Sequence, residues 1–292
     1  MRNTGAALLT LVGALIAPST AQAQTPLGPS WDSVATILQT SGTFAGGYYR
    51  YNFPRTDLTV KVGDVTVAPA LALGSWAGFS GDGSRAMMMG DLVLTASELA
   101  PVQAELARRG LSVTAVHNHL VGEEPRIVYL HYEGEGTATD LARRLSTALA
   151  VTATPRPVAA AGARPLSIDT ALVFSKLGRG RAQGNLAFLS FVLVPDSVKM
   201  HGMTLVPAMA YGTPINIQAV SPTRAVTTGD FAIPAAKVQP VVSALAAGKI
   251  TATALHSHVV GESPAVYYMH FWGDGALTEI VAALRAALDA AK

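Results

Sequence analysis

Six of the seven histidines in this chain fall into two triplets with the same internal spacing. The triplets are His117, His119 and His131 and, 139 residues further on, His256, His258 and His270. Neutral imidazole binds zinc, copper, nickel and iron, and three histidines with one open position form a known catalytic zinc arrangement. The duplicated triplet therefore predicts that the protein binds a divalent transition metal ion, with zinc as the first choice.

Each triplet is expected on one face of a β-hairpin. Side chains alternate between the faces of a strand, so His117 and His119 share a face, and Tyr129 shares one with His131. If the loop VGEEP joins the two strands, His117 pairs with Tyr129 and Ala115 pairs with His131. His131 then lies diagonally beside His117, with about 7–8 Å between the two Cα atoms. The same parity holds for the second triplet.

The residues between the histidines point to the other face of each hairpin, which is apolar. Val116 and Leu120 occupy this face in the first hairpin, and Leu255 and Val259 occupy it in the second. An antiparallel sheet commonly packs its apolar face on the core. We therefore expect helices to cover this face in both halves of the chain.

Two glutamates and two tyrosines of the hairpins complete the candidate site. Glu123 and Glu262 follow the second histidine of each triplet by four residues. Each is a further metal ligand, a catalytic general base acting on metal-bound water, or a solvated carboxylate of the turn. Tyr129 and Tyr268 are expected on the histidine face, where they line a cofactor-binding pocket or simply pack.

An aspartate is repeated together with the histidines. Asp91 and Asp230 follow Gly90 and Gly229 at the same offset of 139 residues. One interpretation is that each carboxylate orients a ligand histidine through a hydrogen bond. We favour the other interpretation, in which each Gly-Asp pair lies where a strand ends or bends.

The repeat extends well beyond the two hairpins. Aligned at the same offset, residues 90–150 and 229–289 share 23 identities, of which ten lie between positions 117 and 136. The alignment predicts a tandem duplication joined by a Pro/Ala-rich linker. The predicted segments are a signal peptide over 1–23, a first repeat over 28–150, the linker over 151–166 and a second repeat over 167–292.

Hydrophobic periodicity indicates the same order of elements in both repeats. Apolar residues recur at helical spacing over 96–109 and 235–247, and again over 139–149 and 278–288. The runs AMMMGDLVL and AVTTGDFAI are typical of strands. The predicted fold class is α+β, with two tandem repeats that each form a mainly antiparallel sheet with helices on one face.

The first 23 residues have the features of a secretory signal peptide. Arg2 precedes an apolar run over residues 6–16 and the small-residue cleavage pattern Ala21-Gln22-Ala23. This pattern predicts a periplasmic or secreted, soluble protein without stable membrane insertion, because no later segment matches a transmembrane helix in length and apolarity. The net charge of only +2 and the lack of a basic stripe argue against nucleic acid as a partner.

Several motifs resemble those of a known family of exported bacterial proteins, the LppY/LpqO family. They are PALALGSWAGF, MGDLVLTASEL, VHNHLVGEEPRIVYLHYEG and LHSHVVGESPAVYYMHFWGDG, and the resemblance spans both halves. It implies export and a duplicated fold, and it implies no particular reaction. The family's named members are lipoproteins, whereas this chain has no cysteine that a lipid modification would need.

Three functions fit these observations. The first is metal binding for sequestration or delivery, with closed sites and no turnover. The second is a metal-dependent hydrolase or lyase with Glu123 or Glu262 as base. The third is a module without metal whose His and Tyr side chains bind a small ligand. Each half holds its own ion, or the two triplets converge at one interface; the sequence is compatible with both arrangements.

Overall fold

The computed structural model describes residues 29–158 and 167–292. The predicted signal peptide and residues 159–166 of the predicted linker lie outside the described residues. None of the helices in the two described ranges is both long enough and apolar enough to cross a lipid bilayer.

Within the described residues, the two halves contain the same elements in the same order, apart from the short strand Glu123–Glu124, which only the first half has. The helices are α1 (Pro29–Leu38), α2 (Pro69–Ala72), α3 (Ala96–Arg108), α4 (Ala138–Leu149), α5 (Thr170–Leu177), α6 (Pro207–Ala210), α7 (Ala235–Ala247) and α8 (Leu277–Ala290). The strands of the first half are β1 (Gly42–Ala45), β2 (Tyr48–Pro54), β3 (Lys61–Val62), β4 (Val65–Thr66), β5 (Gly74–Gly81), β6 (Ala86–Thr95), β7 (Ser112–His117), β8 (Glu123–Glu124) and β9 (Ile127–Gly136). Those of the second half are β10 (Arg181–Gln183), β11 (Leu186–Phe191), β12 (Lys199–Met200), β13 (Met203–Thr204), β14 (Thr213–Ala219), β15 (Arg224–Ile233), β16 (Thr251–His256) and β17 (Tyr267–Ala276).

Each half is built on a six-stranded antiparallel sheet. The strand orders are β1-β2-β5-β6-β9-β7 and β10-β11-β14-β15-β17-β16, so the two sheets have the same topology. The strands that carry four of the six histidines, β7 with β9 and β16 with β17, lie together at one edge of each sheet, and His119 and His258 follow just beyond the ends of β7 and β16. The predicted α+β fold of two tandem repeats is confirmed.

Helices cover one face of each sheet, as the apolar periodicity predicts. A capping box formed by Thr95 and Glu98 starts α3. Along α4, Leu141, Leu145 and Leu149 recur every four residues and are at most 1% exposed. Burying each of these leucines contributes about 2 kcal/mol. The packing of the helices fixes which face of the sheet is free for the histidines.

The helices do not cover the ends of the two edge strands, which corrects our expectation for Val116 and Leu255. These side chains are 46% and 52% exposed. The apolar cluster under the helices includes Val113 near the start of β7 but not Val116 at its end. Because β7 and β16 each have a strand on one side only, their ends lack a second neighbour that would bury them.

The two halves pack with their histidine faces toward each other. Thr114 of the first half donates a hydrogen bond of 2.6 Å to the carbonyl oxygen of His258. The equivalent Thr253 of the second half donates one of 3.0 Å to the carbonyl oxygen of His119. Apolar clusters that contain residues of both halves surround this contact. The reciprocal bonds give the interface an approximate twofold symmetry.

One buried position breaks this symmetry. Glu133 on β9 and its counterpart Trp272 on β17 are 7% and 9% exposed. Beside the smaller Glu133 lies a cavity of about 280 Å³, whose wall includes Met87, Met200 and His201. Burial raises the pKa of Glu133 to about 7, against the opposing effect of nearby His201. The first half therefore buries a carboxyl group where the second half buries an indole.

Candidate metal centre

The strand register sets the positions of the histidines. His117 pairs with Tyr129 and Ala115 pairs with His131, which confirms the predicted register of the first hairpin. In the second hairpin, His256 pairs with Tyr268 in the same way. Both edge pairs contain a register shift two to four residues before the first histidine of the triplet, between Val113 and Ala115 and between Ala252 and Ala254.

The two triplets converge into one cluster of six imidazoles between the halves. The rings of His117 and His256 are stacked with 4.1 Å between their centroids. The rings of His119 and His270 are 3.7 Å apart by the same measure, and those of His131 and His258 are 4.0 Å apart. Of the two arrangements that the sequence allows, the structure has the shared centre.

Four histidines, two from each half, are arranged as one candidate ligand set. They are His117, His131, His256 and His270, and their ligand nitrogens all lie within 4.8 Å of one another. In two further groups the ligand atoms also lie within 4.8 Å of one another. One group is Asp91 with His117 and His119, and the other is Asp230 with His258 and His270. Because His117 and His270 each belong to two groups, the three sets share ligands.

Backbone carbonyls fix the orientation of two of these rings. His131 donates from Nδ1 to the carbonyl oxygen of Gly90 at 3.1 Å, and His270 donates to that of Gly229 at 2.9 Å. A carbonyl only accepts, so in the neutral rings Nε2 carries the free lone pair. A hydrogen bond of this kind is the usual support of a metal-bound histidine.

The four histidines of the central set leave buried nitrogens without partners. Nδ1 of His117, Nε2 of His131, both ring nitrogens of His256 and Nε2 of His270 make no hydrogen bond within residues 29–158 and 167–292. A buried polar atom without a partner costs about 1–3 kcal/mol. Four such rings at one point fit a cation that accepts their lone pairs.

Five of the six histidines are held in the neutral form that metal binding requires. Burial lowers the pKa values of His117, His119, His131, His256 and His270, and repulsion from neighbouring rings adds to this effect. For His270 the charge of Asp230 opposes the lowering of the pKa. A neutral imidazole offers its lone pair to a metal without first losing a proton.

Asp91 and Asp230 contact the histidines, which corrects our expectation that they lie where strands end. Both are buried in the middle of long strands, opposite His131 and His270. Asp91 Oδ2 lies 3.4 Å from Nε2 of His119, and Asp230 Oδ2 lies 3.0 Å from Nε2 of His258. The sequence interpretation that pairs these carboxylates with histidines agrees with this geometry.

The pKa values of the two aspartates shift in opposite directions. Burial raises the pKa of Asp91. Burial also acts to raise the pKa of Asp230, but His270 and His258 outweigh it and the net shift is downward.

The glycines that precede the two aspartates are required by packing, since a Cβ on Gly90 would lie 2.1 Å from the carbonyl oxygen of Trp76.

The loop glutamates lie outside the three ligand groups. Glu123 is 5% exposed and pairs with Val62 of β3, and its Oε1 accepts a hydrogen bond of 3.3 Å from the amide of Ile127. Glu262 makes the equivalent bond of 3.3 Å with the amide of Val266. Both carboxylates thus stabilise their turns, and their role as a general base stays a prediction.

Both tyrosines stack on histidines of the cluster. The ring of Tyr129 lies 3.8 Å from that of His119, and the ring of Tyr268 lies 3.5 Å from that of His258. Burial raises the pKa of both phenols. Tyr268 donates to the carbonyl oxygen of Ala210 at 3.0 Å, whereas the buried Oη of Tyr129 has no hydrogen-bond partner in the described part of the chain.

A cleft of about 1040 Å³ between the halves leads to the cluster. Its wall includes His119, His131, His258 and His270 together with both aspartates, Asp91 and Asp230. Sequence reasoning missed this cleft, because it is formed by the packing of one half against the other. Four of the six histidines line the cleft, whereas His117 and His256 do not.

A family model described as Domain of Unknown Function (DUF1259) matches residues 32–151 and, a second time, residues 171–290. The chain belongs to this family. The two matches agree with the duplication seen in the fold. No curated protein matches the chain.

Two solved structures have some similarity to this DUF1259 protein. One is the double ringed trimeric shell protein MSM0271 from the RMM microcompartment, with 10% identity, a TM-score of 0.20 and coverage of 73% of this chain and 85% of that chain. The other is EtuB from Clostridium kluyveri, with 13% identity, a TM-score of 0.21 and coverage of 86% and 91%. At these TM-scores the similarity supports no statement about fold or function.

Proposed function

We propose that this DUF1259 protein binds one divalent transition metal ion between its two halves, with zinc as the first choice. His117, His131, His256 and His270 would hold the ion. The observation that carries the proposal is that each of these four rings has a buried nitrogen without a hydrogen-bond partner in the described chain. Four neutral nitrogen donors suit zinc, and the absence of cysteine leaves nitrogen and oxygen as the only strong donors.

Elemental analysis of the purified protein tests the proposal. Native protein is expected to retain zinc through gel filtration, and the His117→Ala/His256→Ala double variant is expected to lose it. The matched control is His201→Ala, since His201 is the seventh histidine and its side chain is 57% exposed, outside the cluster. Circular dichroism checks that each variant is folded. Equal zinc content in the native protein and the double variant would refute the ligand assignment.

A second candidate function is a metal-dependent hydrolase or lyase, and the cleft favours it over a closed storage site. A bound ion would supply Lewis-acid activation of a substrate oxygen. Asp91 and Asp230 line the cleft, where a carboxylate could accept a proton, and Glu123 and Glu262 remain the alternative bases. Zinc-dependent turnover of an ester such as p-nitrophenyl acetate, abolished by chelator and weakened by Asp230→Asn, would support catalysis.

A third candidate is a module that binds a small ligand without any metal. The tyrosines Tyr129 and Tyr268, stacked on His119 and His258, would then form the binding surface. This candidate predicts that chelation changes neither the melting temperature nor ligand binding. The unpartnered ring nitrogens favour the metal instead.

We also propose that the protein is exported and belongs among the LppY/LpqO proteins. The support is the pattern of Arg2, the apolar run over residues 6–16 and the cleavage pattern that ends at Ala23, together with the motifs quoted above. Cell fractionation of a strain that expresses the full chain tests the location. Recovery with cytoplasmic markers would contradict export.

A further inference from the structure

The outer part of the cleft carries positive charge only. Arg50, Arg179 and Arg181 lie on its wall. The only carboxylates on this wall, among the residues that the structure describes, are Asp91 and Asp230, and both contact histidines at the inner end. A low-dielectric cleft lined by one sign of charge concentrates ligands of the opposite sign.

Aromatic rings and neutral groups hold two of these guanidinium groups in place. The guanidinium carbon of Arg50 lies 4.2 Å from the ring centroid of Trp76, and Nε of Arg50 donates to Oδ1 of Asn52 at 2.8 Å. The guanidinium carbon of Arg181 lies 3.9 Å from the ring centroid of Phe188. Stacking of this kind orients a guanidinium group and leaves much of its N–H edge free for an acceptor.

Arg55, which lies outside the cleft, differs from these two arginines. Arg55 is fully buried and forms ion pairs of 2.8 Å with both Asp57 and Glu98. Neither Arg50 nor Arg181 has an ion pair within the described ranges.

The two cleft arginines come from opposite halves of the molecule. Arg50 lies on β2 of the first sheet, and Arg181 lies on β10 of the second. Burial, and then the positive charge of Arg50, lowers the pKa of Arg181. The two guanidinium groups carry like charges on the wall of one cleft, and an anion bound between them would relieve their repulsion.

We infer that the cleft binds a small organic anion whose carboxylate or phosphate group is held between Arg50 and Arg181. A guanidinium group binds the oxygens of either anion through two parallel hydrogen bonds. Trp76, Phe188 and Met209 line the same cleft and would contact an apolar or planar body. The inference rests on the proposed function, because it names the substrate class that approaches the metal centre.

Calorimetric titration of the metal-stripped full chain tests the inference. The probes are benzoate, phenyl phosphate and, as the neutral analogue, benzyl alcohol. We expect saturable binding of at least one anion and none of the alcohol, and the tighter anion identifies the head group. Arg50→Gln and Arg181→Gln are each expected to weaken anion binding about tenfold or more, as for the loss of a hydrogen bond to a charged group.

The matched control is Arg143→Gln, which removes one positive charge from an exposed position on α4. It is expected to leave anion binding unchanged. Equal binding of the alcohol, or an equal loss in Arg143→Gln, would overturn the inference.

Zinc analysis of the native protein, made before the metal is stripped, separates this inference from the proposed metal function. If native protein retains zinc and no anion binds, the inference fails and the metal function stands. If the anions bind through Arg50 and Arg181 and no zinc is retained, the metal function fails and the anion site stands without a metal.

Discussion

Glu133→Gln is expected to stabilise the protein increasingly as the pH rises. In the unfolded chain Glu133 ionises near its ordinary pKa of 4.5, whereas burial raises the folded pKa to about 7. At low pH the carboxyl is protonated in both states and has no effect. Between pH 4.5 and 7 the unfolded state gains a charge that the folded state resists, so the native protein loses stability, and the loss is complete above pH 7.

The difference between the folded and unfolded pKa values of Glu133 sets the size of this effect. The interval from 4.5 to about 7 corresponds to about 3 kcal/mol. Glu133 lies beside an open cavity, where solvent screens part of the cost, so we expect about 1–2 kcal/mol between pH 5 and pH 8.5. Glutamine has nearly the same shape and cannot ionise, so the variant removes this pH dependence.

Urea unfolding of both proteins at several pH values, with chelator present, measures the effect. The quantity of interest is the free energy of unfolding of the variant minus that of the native protein. Glu135→Gln is the matched control, because its side chain is 39% exposed at the rim of the same cavity. A difference that stays constant with pH, or that shrinks toward pH 8.5, would refute the burial of Glu133 as a neutral acid.

Three further predictions follow from the centre and the chain's start. Gly90→Ala should lower the free energy of unfolding by about 3 kcal/mol in a urea titration, because the new Cβ would lie 2.1 Å from the carbonyl oxygen of Trp76. The control Gly74→Ala should have little effect, since a Cβ there would have no atom within 4 Å. Chelation should lower the melting temperature of zinc-loaded native protein by several degrees and leave that of His117→Ala/His256→Ala unchanged, since only bound ligand adds stability. Mass spectrometry of the exported chain should find Gln24 at its N-terminus; an intact Met1 would contradict the predicted cleavage.

The sequence predicts the local geometry of the centre well. The alternation of strand side chains and the length of the loop were enough to pair His117 with Tyr129. The convergence of the triplets was not predictable, because it depends on contacts between residues far apart in the chain, such as Thr114 with the carbonyl of His258. The prediction for Asp91 was wrong because the pair Gly-Asp is also typical of turns. Only the close packing around Gly90 explains why a glycine lies inside this strand.

Fusion of the two repeats in one chain allows the two halves to differ. The reciprocal bonds of Thr114 and Thr253 keep the interface nearly symmetric, yet Glu133 lies where the second half has Trp272. Two identical separate chains could assemble the same six imidazoles, but every residue around the cluster would then occur as a matched pair. Joining the copies in one polypeptide releases the surroundings from that constraint while the histidines stay duplicated. The indole of Trp272 can thus fill the space on one side of the centre, whereas a cavity and the carboxyl group of Glu133 lie on the other side.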